Sequence, residues 1–407
     1  MSLVESVKHP LADTLSVMLP ASEDRLLLRA CILPGESGRQ ACQSWIKRCN
    51  DPKSELGREF VKSFLPMLFF AVQTHGVELD NTLLTILRTA NFREQLRTKT
   101  YTRICRDVFS TLLSNELPAI VVKGAALAES VYPHPALRHS HNIELLVQER
   151  HLDQVTRLLK PLRFTGSGGT NSHPELTHES GLPLVLHSNL FELPLCRSDL
   201  PDVWSRSQEM VLSKVSVHVL APTDLILHTS AQAAYSSAGE SYRWISDLCF
   251  TIAKYQKLDW GLLLDCAVKN HRALPLSVML SYLVAEFEAR VPAEFLKRLS
   301  TRAFNGESIG WELALFRAHA AAHGSFKKLL RDTKSWRGRA LIVRWMLLPS
   351  PKYILWVQQT RHLWLLPFYY LYRPVRYVVR QMWFFCRRQI RHLRGIPAEA
   401  RSNTVSS

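Results

Sequence analysis

What this chain lacks narrows it first. No uncharged apolar run approaches the ~20 residues needed to cross a bilayer as a helix. The eight cysteines (Cys31, Cys42, Cys49, Cys105, Cys196, Cys249, Cys266 and Cys386) include no CxxC pair, so no zinc knuckle or dithiol redox motif is supported. The opening residues MSLVESVKHPLADTLSVMLP lack the charged and apolar regions of a secretory signal. These features predict a cytoplasmic protein with reduced thiols. Internal repeats and long low-complexity segments are also missing. Finally, the C-terminal stretch is nearly free of acids. Residues 321–407 hold 17 Lys and Arg against Asp332 and Glu399, whereas residues 1–320 hold 34 basic and 33 acidic side chains. The net charge of +16 therefore belongs to the tail, and so does any attraction to nucleic acid or membrane. With 407 residues, 46% of them hydrophobic, the chain can fold and bury a sizeable core in two or three domains.

The pattern along the chain changes three times. Up to about residue 115, apolar residues recur at spacings of three and four, as in EDRLLLRACIL and TLLTILRTANFREQLRTKTYTRICRDVFSTLLSN, which predicts helices. LPGESGRQ (33–40) and NDPKSE (50–55) read as loops, and Asn81 as an N-cap. From Leu117 the texture becomes that of an α/β unit of roughly 100 residues. LPAIVVKG, NIELLV, LPLVLHSNLF and KVSVHVL predict four strands. AALAESVY and QERHLDQVTRLLKPLRF are helical between them, and TGSGGTNSHPE reads as a Gly/Ser loop. Helical periodicity returns at Thr223, which follows Pro222 and reads as the cap. The tail is rich in Trp and Arg. Arg373, Arg376, Arg380, Arg387, Arg391 and Arg394 recur on one face of a predicted helix, with Val375, Trp383 and Phe385 among the apolar residues of the remainder. Such a helix can pack on the body with its arginines solvated, or lie on an anionic membrane surface.

The middle unit gathers polar residues. Gly124 permits a tight turn from strand to helix, and Lys123 adds a positive charge beside it. In NIELLV, side-chain alternation places Asn142 and Glu144 on one face and Ile143, Leu145 and Val147 on the other. In LPLVLHSNLF it places Val185 and His187 together. If the strands are neighbours, Asn142, Glu144, Val185 and His187 converge near the Lys123–Gly124 turn.

The order of LPAIVVKGAALAESVYPHPALRHSHNIELLV, LVLHSNL, PTDLILH and YRWISDL resembles the large family of bacterial uncharacterised nucleotidyltransferases, over roughly residues 20–380. The resemblance implies an α+β fold of the polymerase-β-like nucleotidyltransferase type. Its small mixed β-sheet core would be flanked by N-terminal and C-terminal helical regions. The expected divisions are a helical region at 1–115, the nucleotidyltransferase-like core at 116–221, a helical domain at 222–320, a basic amphipathic tail at 321–395 and a disordered end at 396–407. It also implies transfer of NMP from an NTP to a hydroxyl acceptor, with Mg²⁺ held by three carboxylates on two strands. Lys123, Gly124 and Arg138 match nucleotide-side positions, His187 the His of the third strand, and Asp247 the acid of the Trp-x-x-Asp helix.

The three metal positions depart from the family pattern: they are Asn142, Glu144 and Val185. Asn offers a neutral oxygen, Glu reaches farther than Asp, and Val cannot ligate, while Mg²⁺ demands near-ideal geometry. Glu175, Glu179 and Glu192 are the acids near enough in sequence to substitute. Two functions therefore stay open. One is an Mg²⁺-dependent nucleotidyltransferase in which Asn142, Glu144 and His187 carry the chemistry. The other is a catalytically silent module of the same fold, with a nucleotide, an anionic membrane surface at the inner face, or a protein as partner. Nucleic acid is the weaker expectation, because the basic residues lie among Trp and apolar blocks and not on an aromatic-basic sheet.

Overall fold

The computed structural model describes residues 19–49, 56–139, 142–170, 173–191, 200–235, 242–305, 309–321, 324–358 and 362–373, together with Leu15, Thr360 and Val375. The chain divides into two compact units, Met1–Trp336 and Arg337–Ser407. The loop expected at 50–55 and the arginine face expected beyond Arg373 lie outside the described residues.

The first unit opens with helices α1 (Ser22–Ile32), α2 (Gly35–Arg48), α3 (Glu59–Lys62), α4 (Leu65–His75) and α5 (Asn81–Ser114). Two expectations are corrected here. Residues 35–40 belong to α2 and not to a loop, because Ala41, Cys42 and Trp45 bury one face of that helix and draw its Gly/Ser-rich first turn with them. The cap of α5 is Asp80 rather than Asn81: its carboxylate accepts from the N–H groups of Thr82 and Leu83, each at 2.9 Å.

A mixed seven-stranded sheet follows: β1 (Ala119–Val122), β2 (Ile143–Val147), β3 (Phe164–Thr170), β4 (His173–His178), β5 (Pro183–His187), β6 (Gln208–Leu212) and β7 (Val215–Val219), in the order β3-β4-β5-β2-β1-β7-β6. Between these strands run α6 (Gly124–Ser130), α7 (Leu152–Leu159) and α8 (Leu200–Arg206). On one face of the sheet, Val121, Ile143, Leu145, Val147, Leu184 and Leu186 pack with Ile104, Val108 and Phe109 of α5 and Leu152, Val155 and Leu159 of α7. That face supplies the apolar burial that holds the core.

The sheet is larger than the four strands expected. TGSGGTNSHPE is not a loop: Gly166 pairs with Leu176, and Gly168 and Gly169 with Glu175 and Pro174. Glycine disfavours strands, but buried Phe164 and Leu176 anchor the ladder, and β5 pairs with β4 along Glu175–Thr177 on its other edge. β6 was also not expected, since Gln208, Glu209 and Val211 are exposed and only Leu212 is buried, which hides the alternation. It joins β7 through Ser213 and Lys214, both at positive φ, as a two-residue hairpin turn requires. This turn usually contains Gly or Asn. Here the Glu129 carboxylate holds it, accepting from the Ser213 N–H and hydroxyl at 2.7 Å each.

The unit continues with α9 (Pro222–Tyr235), α10 (Arg243–Lys254), α11 (Trp260–Lys269), α12 (Ala273–Phe287), α13 (Ala293–Asn305), α14 (Ile309–Ala321) and α15 (Phe326–Asp332). Pro222 takes the first position of α9, where its missing N–H costs nothing, so Thr223 lies inside the helix and does not cap it. The second unit contains most of α16 (Trp336–Leu347), then α17 (Pro351–Val357), a turn at Leu363–Leu365 and a helix over 366–373. No helix among the described residues is long and apolar enough to cross a membrane.

Candidate functional site

Register builds the site. β2 lies between β1, which is antiparallel to it, and β5, which is parallel to it. Val122 and Val185 are the register partners of Glu144, so the residue after Val122, Lys123, stands beside the carboxylate. His187 follows Val185 by two and shares its face. The Lys123 ammonium lies 2.6 Å from Oε2 of Glu144. His187 donates from Nε2 to the same oxygen at 2.7 Å, and Asn142 donates from Nδ2 to Oε1 at 2.9 Å. The expected convergence of Lys123, Asn142, Glu144, Val185 and His187 is thus what the structure contains.

Glu144 is 4% exposed. Burial works against its charge, but the His187 hydrogen bond and the Lys123 charge prevail and hold its pKa down at about 2. Lys123 itself sits at φ +55° and ψ −125°, a conformation that L-residues rarely adopt. The turn therefore stores backbone strain at the residue that supplies the cation.

Arg138 is placed elsewhere. It makes a two-pronged pair with Asp247, Nε to Oδ1 at 2.8 Å and Nη2 to Oδ2 at 2.9 Å. Tyr132 donates to Asp247 Oδ1 at 2.6 Å, and its hydroxyl oxygen lies 2.9 Å from that of Ser246. The Asp247 charge outweighs burial and raises the Arg138 pKa well above its ordinary value. Nearby, His139 Nδ1 is 2.7 Å from Glu94 Oε2, and Arg243 donates to the His139 carbonyl at 2.6 Å. Arg138 and Asp247 thus tie the approach to β2 onto α10.

Of the three acids expected as possible substitutes, Glu175 is the register partner of Val185, on the same face as Glu144 but exposed. Two strand spacings, ~10 Å, separate it from the Glu144 backbone. Glu179 pairs with Arg163. Glu192 lies outside the described residues.

Sequence reasoning missed His228. It is 3% exposed on α9, and among the described residues neither ring nitrogen makes a hydrogen bond of ordinary geometry. Burial pushes its pKa down to about 3; the Lys123 charge adds to this, and the Glu144 charge works the other way. His228 is thus a neutral imidazole close enough to feel the Glu144 cluster. The signal available was a single His at the end of PTDLILH, the apolar start of a helix.

A metal fits this donor set poorly. Glu144 has both oxygens engaged, Asn142 turns its nitrogen toward it, and Val185 has no donor atom. Lys123 already brings a cation to 2.6 Å from the carboxylate. Among the described residues no three His, Cys, Asp or Glu side chains are grouped to hold a metal ion.

The site thus consists of the Lys123–Gly124 turn beside Glu144 of β2 and Asn142 just before it, in a mixed sheet flanked by helices. The model of the uncharacterised nucleotidyltransferase family matches residues 61–288, more than half of the chain, and the chain belongs to that family. No curated protein matches it. Among solved structures it is similar to an antigenic nucleotidyltransferase-like protein from Paracoccidioides brasiliensis. The two are 16% identical with a TM-score of 0.32, over 48% of this chain and 92% of that one.

Proposed function

We propose that this chain is a nucleotidyltransferase-fold protein that no longer transfers nucleotides by the two-metal route and serves as a binding module. One observation carries this reading. The single carboxylate left at the three metal positions, Glu144, is internally neutralised by Lys123 and His187. A divalent ion entering there would meet an ammonium, an amide nitrogen and a valine. To admit it the Lys123–Glu144 bond would have to break, and the ion would then sit beside the displaced ammonium, a repulsion of like charges. In this reading Lys123 stabilises the Glu144 carboxylate, His187 orients it by a hydrogen bond, and Asn142 satisfies its second oxygen. The cluster holds β1, β2 and β5 at fixed spacing under the Lys123–Gly124 turn.

A second reading has its own observation. Glu175 lies directly across from Val185, so its longer side chain is the candidate to stand in for the missing acid. In that case the protein transfers NMP from an NTP to a hydroxyl acceptor with Mg²⁺.

A thermal-shift titration separates the two. The native chain and the triple variant Asn142→Asp, Glu144→Asp, Val185→Asp are each titrated with ATP, CTP, GTP and UTP, with and without Mg²⁺. A ligand at 100 times its Kd stabilises by ~2.7 kcal/mol. The expected result is no Mg²⁺-dependent shift in the native chain and a shift in the variant. An Mg²⁺-dependent shift in the native chain that disappears in Glu175→Gln would overturn the silent reading in favour of the second.

A further inference from the structure

The second unit carries an apolar stripe on its outside. Trp364, Phe368, Leu371, Tyr372 and Val375 are all exposed, Leu371 by 72%, Trp364 by 68% and Phe368 by 64%. Their spacing of four, three, one and three is that of one helical face. The opposite face is already used within the unit. Tyr370 donates its hydroxyl to the Pro349 carbonyl at 2.7 Å. The Arg373 guanidinium lies 5.8 Å from the centroid of the Trp345 ring and 5.6 Å from that of Tyr353. The helix over 366–373 is therefore fixed by its polar and cationic residues with its apolar residues turned outward, the reverse of an ordinary surface helix. Leu347 and Leu348, also exposed, stand at the Pro349 corner to which Tyr370 is tied.

We propose that this stripe docks the protein on an anionic lipid bilayer, lying in the interface without crossing it. Charge selects this occupant. Residues 337–407 contain 13 Lys and Arg and one acid, Glu399. A second copy would bring the same sign of charge to the contact. Nucleic acid would satisfy the charge but leave five large apolar side chains in water. A bilayer with anionic headgroups offers both an acyl boundary for Phe368, Leu371 and Val375 and a negative surface for the arginines. Trp364 and Tyr372 are of the residue types that collect at that boundary.

The test is co-sedimentation of the full chain with phosphatidylcholine vesicles, with and without 30% phosphatidylglycerol, at ~0.15 M salt. The expected result is binding to the anionic vesicles at least tenfold tighter than to the neutral ones. The variant Trp364→Ser, Phe368→Ser, Leu371→Ser is expected to lose at least tenfold with an unchanged melting temperature. Bromine-labelled acyl chains should quench native tryptophan fluorescence, and Trp364→Phe should lose part of that quenching. This second readout needs only a conservative change. No binding to anionic vesicles would overturn the proposal. So would serine variants that bind like the native chain, or displacement by duplex DNA with no acyl-chain quenching, since both mean attraction by charge alone.

Discussion

Glu144 and Asp247 are two buried carboxylates of one structural unit, 2.6 and 2.8 Å from a cation respectively, and they differ in what surrounds them. Asp247 has a geometrically matched partner. The planar guanidinium of Arg138 meets both its oxygens, and Tyr132 completes the set. Glu144 is held by a flexible ammonium, an imidazole and an amide, three donors of three different kinds. The first arrangement is a fastening that joins the chain before β2 to α10. The second is a single carboxylate shared among three strands' ends, each neighbour giving it one bond. Paired Arg and Asp gain rigidity from two parallel bonds. A carboxylate held by Lys and His keeps its charge but has more ways to rearrange.

The largest effect should come from breaking the fastening. Asp247→Ala leaves Arg138 buried without its partner, a loss of ~3–5 kcal/mol. Urea denaturation should show a lower midpoint at unchanged slope. The double variant Arg138→Met, Asp247→Leu should recover most of that loss, because it removes both charges. If the double variant is as unstable as the single one, the pair is not a simple fastening and the contrast with Glu144 fails.

Acid should attack the Glu144 side of the comparison in two separable windows. His228, at about 3, lies below the ordinary histidine value, so the unfolded chain binds the proton more readily. Its contribution is complete above pH ~6.5 and is lost as pH falls towards 3, about 3 kcal/mol of it between pH 7 and 4. Glu144, at about 2, is likewise depressed. Its contribution is complete above pH ~4.5 and is lost towards pH 2, again about 3 kcal/mol. Stability against urea measured from pH 7 to pH 2.5 should fall in both windows. His228→Leu should flatten the upper window and Glu144→Gln the lower one. A His228→Leu profile parallel to the native one would show that the imidazole reaches water in solution.

Much of this contrast was legible in the sequence. Alternation in NIELLV and LPLVLHSNLF is enough to set Asn142, Glu144, Val185 and His187 on one face, because a strand has a period of two whatever its neighbours are. Lys123 followed from the strand-to-helix turn. The pairing of Arg138 with Asp247 was not legible, since the two residues meet only when α10 folds back on the sheet. His228 was hidden for a related reason: burial of an imidazole depends on what covers α9, and a helical pattern does not record that. The strands β3, β4 and β6 were missed where composition and tertiary pairing conflict. Gly166 to Gly169 have little preference for a strand, and the neighbouring ladder decides.

The smallest effect isolates the backbone from the charge. Lys123 is both the cation of the Glu144 cluster and a non-glycine residue at φ +55°. Lys123→Ala removes the ammonium and keeps the strain; Lys123→Gly removes both. The two variants lose the ion pair equally, so their difference reports the turn alone. Glycine adopts that conformation freely, whereas alanine does not. Lys123→Gly should therefore be more stable than Lys123→Ala by about 1 kcal/mol. Glycine's greater freedom in the unfolded chain works against this and makes the figure a lower bound on the strain. Equal stabilities would mean that the turn relaxes once the ammonium is gone. The strain would then be imposed by the Glu144 contact itself, and the charge cluster, rather than the strand-to-helix geometry, would set the shape of the site.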